Sequence, residues 1–180
     1  MTEPHTATHH HPEGAWPAAE RAGSLTLTHE DRHVRRKRLT TDQGEPVLLD
    51  LPQAVTLRTG DGLRLEGGGW LEIRAADEDV LQITADSPAA LVRLAWHLGN
   101  RHTPTQLGTD WLRVAYDHVL EPMLQGLGGR TERRQAPFQP ESGAYAGHEH
   151  PHRHHHGQDE ANEPVKGRRY RYDPQHGHGN

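Results

Sequence analysis

The sequence predicts an α+β protein in three parts. An all-β amino-terminal domain, a small barrel or sandwich, is followed by a ferredoxin-like βαββαβ domain and a disordered His-rich carboxy-terminal tail. Three observations carry this reading. Short alternating apolar runs broken by turn residues fill residues 24–77. From residue 79 the pattern becomes strand, helix, strand, strand, helix, strand. Beyond Tyr145 the chain is rich in His, Gly and charge, and apart from "RRYRY" it offers nothing to bury.

Taken in order, residues 1–22 are rich in Pro, His and Ala without periodicity and read as a disordered arm. Residues 23–78 form the expected β domain. In "VTLRTGDGLRLE", Val55 and Leu57 stand on one side of Gly60-Asp61-Gly62, and Leu63 and Leu65 on the other. That pattern predicts two strands closed as a hairpin. "WLEIRA" alternates in the same way, and several such strands suggest a barrel or sandwich.

Residues 79–146 form the second domain. "VLQITA" reads as a strand. Asp86-Ser87-Pro88 then offers an N-cap and a first-turn proline before the apolar face Leu91, Leu94, Ala95 and Leu98, which Gly99 stops. "TPTQLGT" and "WLRVAY" predict a hairpin, "HVLEPMLQGLGG" a second helix, and "TERRQAPFQP" a last edge strand. If Asp117 caps the second helix, Pro122 lies past the first turn and removes an internal hydrogen bond, which moves the regular helix toward Val119. Residues 147–180 are the expected disordered tail.

The composition excludes several classes. Among 180 residues there are 17 histidines and no cysteine, with a formal charge of −5. No disulfide, thiolate zinc knuckle or Cys nucleophile is available, so any metal is held by nitrogen and oxygen. The amino terminus lacks a basic start followed by an apolar stretch, and no apolar run approaches the roughly 18 residues of a membrane span. A cytoplasmic protein without a membrane partner is expected. Mild acidity argues against a nucleic-acid partner, and the basic "VRRKRL" (Val34 to Leu39) reads as a solvated strand or turn face. The single Phe, Phe138, does not supply the paired aromatic motif of an RNA-recognition sheet. No Ser/His/Asp order, phosphate loop or paired-acid motif points to an enzyme. A metallohydrolase would gather its ligands on ordered elements around an open position, whereas most histidines here lie near the termini.

The densest histidines are His148, His150, His152, His154, His155 and His156, beside Glu149, with His176 and His178 further on. Neutral imidazole suits Ni(II), Zn(II), Cu(II) and Co(II), and the general divalent order favours copper in a test tube. A purification tag is usually uninterrupted and terminal. This stretch is broken by Glu149, Pro151 and Arg153 and continues through residues 157–180. His9, His10 and His11 read equally as secondary ligands or as an incidental polar arm. His97, His102 and His118 each have a structural account as well, near helix ends or in a loop.

"WHLGNRH", followed by "YDHVLEPMLQGLG", "PFQPESGAYAGH" and a His-rich terminus, resembles the urease accessory protein E family of nickel metallochaperones. The resemblance spans about Leu25 to His156 and includes "RRKRLTTDQGEPVLLDLP". It implies a peptide-binding-like β domain, a ferredoxin-like domain, and a homodimer joined through the latter with nickel at the two-fold axis. By motif, His102 corresponds to the interface ligand. His118 matches a peripheral metal position, but Tyr116 stands where some members carry a second His. His97, His118, His176 and His178 are the secondary candidates. The tail matches a variable nickel-binding terminus that sets capacity and capture. The implied partners are the urease accessory GTPase, the urease apoprotein and other urease accessory proteins. The implied cargo is Ni(II), bound reversibly, with Zn(II) or Cu(II) binding in vitro. Passive nickel or zinc storage is the alternative.

Overall fold

The computed structural model describes residues 5–142, so the expected disordered tail lies outside the described residues. The described part is α+β, with a curled six-stranded sheet, a four-stranded sheet and two α-helices.

The first sheet is built from β1 (His5–His11), β2 (Arg21–Leu27), β3 (His33–Thr40), β4 (Pro46–Thr56), β5 (Gly62–Leu65) and β6 (Trp70–Ala75), in the order β2-β6-β5-β1-β4-β3. Alternation turns Leu25, Leu49, Leu63 and Ile73 into one core, each fully buried. Burial of each such side chain contributes about 1.5–3 kcal/mol.

Two expectations are corrected here. The supposed disordered arm supplies β1, which lies between β4 and β5, parallel to the first and antiparallel to the second. The expected hairpin across Gly60-Asp61-Gly62 is therefore not formed, because β1 occupies the place between its two arms. The histidine-rich segment is held by a few specific contacts. Ala7 is fully buried in the core, and His10 Nε2 lies 2.7 Å from Asp61 Oδ2. Trp16 donates its indole N–H to Gly60 O (2.9 Å) and stacks on Trp70 at 5.8 Å. A Cβ on Gly62 would lie 2.5 Å from the Trp16 ring, so the bare backbone there makes room for the indole.

The second sheet comprises β7 (Asp77–Thr84), β8 (Gln106–Leu107), β9 (Leu112–Ala115) and β10 (Arg130–Pro137), in the order β10-β7-β9-β8 with antiparallel neighbours throughout. The β8–β9 hairpin and the edge position of β10 agree with the sequence reading. Helices α1 (Pro88–Gly99) and α2 (Leu120–Gly126) follow β7 and β9. Leu94, Leu98 and Leu124 from the helices join Leu81, Ile83, Leu112 and Val114 in a second core. Ser87 Oγ accepts from the Ala90 amide (3.2 Å) at the start of α1, as the sequence suggests. At α2, Asp117 accepts from the Val119 amide (2.7 Å) and the helix begins at Leu120. Pro122 then falls in the first turn, where its missing N–H breaks no internal bond.

The two sheets meet at Arg32, which is 1% exposed. Its guanidinium donates to the carbonyls of Thr28 (3.3 Å), Leu57 (3.4 Å) and Phe138.

Asp61 generates a prediction about acid stability. Burial pushes its carboxyl up, but the His10 contact and the amides of Arg58 (2.8 Å) and Glu13 (3.2 Å) outweigh burial and hold it below the usual value of 3.8. A depressed folded value contributes stability above the unfolded value, and that stability disappears as pH falls through the folded one. Unfolding followed in urea from pH 6 to pH 2 is expected to show this loss below about pH 4, and Asp61→Asn is expected to remove that component. An unchanged acid limb in Asp61→Asn contradicts the assignment.

Candidate metal centre

His102 stands just past α1. The Thr103 amide donates to Leu98 O (3.2 Å) and the His102 amide to Gly99 O (2.9 Å). These are the paired bonds of a Schellman cap, and they place His102 at the position where the chain turns left-handed. Its φ is +53°, and among the described residues it is the one non-glycine with positive φ. Glycine is the usual occupant of that position because it has no Cβ to clash. Asn100 Nδ2 and Arg101 Nη1 satisfy the carbonyls of Trp96 (3.0 Å) and His97 (3.1 Å), completing the helix end.

The His102 imidazole is exposed and lines a groove of about 550 Å³ with His29, Arg101, Tyr116, Asp117 and Phe138. His29 comes from the first half of the chain, its amide donating to Glu78 (2.7 Å) and its ring edge-on to Phe138 at 5.5 Å. Burial, followed by the nearby Arg32 charge, pushes the His29 imidazole below its ordinary value and favours the neutral ring. Sequence reasoning did not single out His29, because its place in the groove depends on how the two sheets pack.

The other histidines stand apart. His97, half-buried in the last turn of α1, meets the neighbouring Trp96 ring edge-on at 5.0 Å. His118 is exposed, its Nδ1 3.8 Å from Asp117. Tyr116, at the position of the missing second histidine, packs beneath the Arg133 guanidinium at 3.7 Å, and Asp79 pairs with that same arginine. Among the described residues no three His, Asp or Glu side chains converge as a metal-binding set. His148, His150, His152, His154, His155, His156, His176 and His178 lie outside the described residues.

Along α1 lies an exposed apolar surface. Val92 and Trp96, one turn apart, are 69% and 65% exposed, and Leu107 is 53% exposed. Val92 and Leu107, with Leu91, Ala95 and Leu112, line a groove of about 380 Å³ that reaches Asp86-Ser87-Pro88 at the start of α1.

Comparison with known proteins identifies the chain. The family model described as "UreE urease accessory protein, N-terminal domain" matches residues 1–76, and "UreE urease accessory protein, C-terminal domain" matches residues 78–178. The urease accessory protein UreE of Rhodobacter capsulatus is 48% identical over 155 residues, which cover 83% of this chain and 96% of that protein. The UreE of Bradyrhizobium sp. (strain ORS 278) is 52% identical over 131 residues, covering 73% of this chain and 62% of that protein. That of Cupriavidus necator is 48% identical over 143 residues, covering 78% and 74%. The chain thus spans nearly all of the Rhodobacter protein and about three fifths of the Bradyrhizobium one.

The matched halves define a class, the accessory metallochaperones of urease maturation, which are not enzymes. Within that class, the chain belongs to the UreE urease accessory protein family.

The backbone of His102 generates the second prediction. A non-glycine residue in the left-handed region costs about 1–2 kcal/mol, offset in part by the greater unfolded-state freedom of glycine. His102→Gly is therefore expected to raise unfolding free energy by about 1 kcal/mol, read as a higher urea midpoint at unchanged slope. A lower midpoint would show that the imidazole is there for the fold.

Proposed function

We propose that the protein is a cytoplasmic nickel metallochaperone that captures Ni(II), holds it reversibly, and passes it through the urease accessory GTPase complex to apo-urease. The observation that carries this reading is His102: an exposed imidazole kept where glycine fits the backbone better, and among the described residues not part of any set of three His, Asp or Glu side chains. Retaining a strained residue points to a use outside folding. A two-fold axis doubles every ligand near it, so a homodimer joined through the second half gives the paired His102 side chains that one chain lacks. The exposed Val92 and Trp96 of α1 and Leu107 of β8 supply apolar area for such a contact. The second half follows the βαββαβ order of a ferredoxin-like unit, and the first half is read as the peptide-binding-like β domain.

His148, His150, His152, His154, His155 and His156 are assigned to capture and capacity, and His97, His176 and His178 to secondary binding. His118 is left without a second histidine, so a peripheral site there is incomplete. Zn(II) and Cu(II) are expected to bind in vitro. Other urease accessory proteins are the further partners. Passive nickel or zinc storage draws its support from the density of tail histidines. It differs by predicting that function scales with their number and not with His102.

The decisive measurement is His102→Ala in the full chain, with nickel titration of the dimer and urease activation in cells as paired readouts. Loss of the tightest site and of activation is expected, while most of the binding capacity remains. Wild-type values for both exclude His102 as the delivery ligand.

Capacity is expected to depend on pH. Imidazole binds metal when neutral and titrates in water near about 6.5, so nickel taken up per chain should fall markedly between about pH 7.5 and 5.5. Capacity that is level down to pH 5 would assign the bulk of the metal to carboxylates.

A further inference from the structure

From the geometry of β1 we infer a second metal site, formed by His9 and His11 on the outer face of the first sheet, which binds Ni(II) and chemically similar divalent first-row ions through two imidazoles and water. Three histidines run in sequence here, and the strand separates them. Between His9 and His11 the pairing with β5 is regular: His9 opposite Arg64, His10 opposite Leu63, His11 opposite Gly62. Leu63 is fully buried and Arg64 is exposed. His10 therefore points to the core side, where Asp61 holds its Nε2, and His9 and His11 share the opposite face.

Side chains two apart on a strand stand about 6–7 Å from one another. That spacing lets two rings approach one ion, with metal–nitrogen bonds of about 2.0–2.1 Å as found for zinc. His9 is exposed, and among the described residues its ring has one hydrogen-bond partner, the hydroxyl of Thr8 (2.9 Å). Among the described residues, neither ring nitrogen of His11 has a hydrogen-bond partner. The His11 ring stands edge-on to Trp70 at 5.0 Å, and Trp70 is itself 6% exposed beneath Trp16. The aromatic pair fixes one ligand in advance, which lowers the ordering cost of binding.

Two protein ligands make a weaker site than three or four, suited to transient capture. Arg64 is the opposing feature, because its charge lies across from His9 on the same face. Its removal is therefore a sensitive test.

Ni(II) is paramagnetic, so titration of the full chain followed by NMR reports where it binds. Broadening of the amide signals of His9, His11 and Arg64 is expected once the tighter sites have filled. Either His9→Ala or His11→Ala should raise the nickel concentration needed by about tenfold, since chelation by a linked pair is lost, and the double substitution should abolish the effect. Arg64→Glu places a carboxylate opposite His9 and should shift the broadening to lower nickel. The inference is overturned if β1 signals stay sharp when nickel is in excess over all the histidines, if the double variant broadens as the parent does, or if Arg64→Glu leaves the response unchanged.

Discussion

The arrangement of this protein depends on one buried cation that is held by carbonyl oxygens and not by a carboxylate. Arg32 is almost completely enclosed, and its guanidinium is satisfied by backbone carbonyls from Thr28, Leu57 and Phe138. Burial pushes its pKa down, and the acidic Glu78 nearby works the other way. Taking such a charge out of water costs several kcal/mol, which is offset only if its N–H groups find acceptors in good geometry. Those acceptors come from both halves of the chain. The segments just after β2 and β4 supply Thr28 and Leu57, and the segment after β10 supplies Phe138. Displacing either sheet relative to the other strands part of the guanidinium, so the charge specifies one relative placement.

That placement extends to the candidate metal centre. Gln139, next to Phe138, accepts from the Thr59 amide (2.9 Å) and donates its own amide to Gln106 (3.0 Å). Two residues on, the Glu141 amide donates to Thr105 O (2.9 Å), and Arg58 reaches the Ser142 hydroxyl (3.0 Å). Thr105 lies three residues past His102. The loop that presents His102 is thus held on one side by the cap of α1 and on the other by a strap anchored through Arg32. On the proposed reading, a ligand on a loop held in this way keeps its geometry while leaving coordination positions open to a partner.

The second half was legible in the sequence because its signals are local. Ser87-Pro88 starts α1, Gly99 marks its last turn, and the β8–β9 hairpin closes over a short loop. The first half was less legible, for physical reasons. The segment from His5 to His11 has one small apolar residue, Ala7, directed into the core, so no periodic apolar pattern marks it as a strand. Its stability comes from non-local partners, Asp61 and Trp70, and from the parallel pairing with β4. The turn at Gly60-Asp61-Gly62 was read by the local hairpin rule, which has no means of showing that a strand from the amino terminus enters between the two arms. His102 was singled out as a candidate by its motif. Its left-handed backbone was not visible, because residue type alone does not reveal which position of a cap a histidine occupies.

The proposed delivery role has a chemical logic that distinguishes a carrier from a store. A store gains from many flexible ligands that wrap the ion, since each added imidazole slows its release. A carrier needs a hold that another protein can break. An incomplete set on an ordered loop provides such a hold, because an incoming ligand can occupy an open position before an existing bond is lost. The proposed site at His102 has this character: the residue is exposed, fixed by the α1 cap, and among the described residues not part of any set of three His, Asp or Glu side chains. Its backbone strain fits the same requirement. Selection for stability alone would favour glycine at the cap, and the conformational cost of histidine is one the fold can bear because the Leu98, Leu94 and Ile83 core beneath it is fully closed.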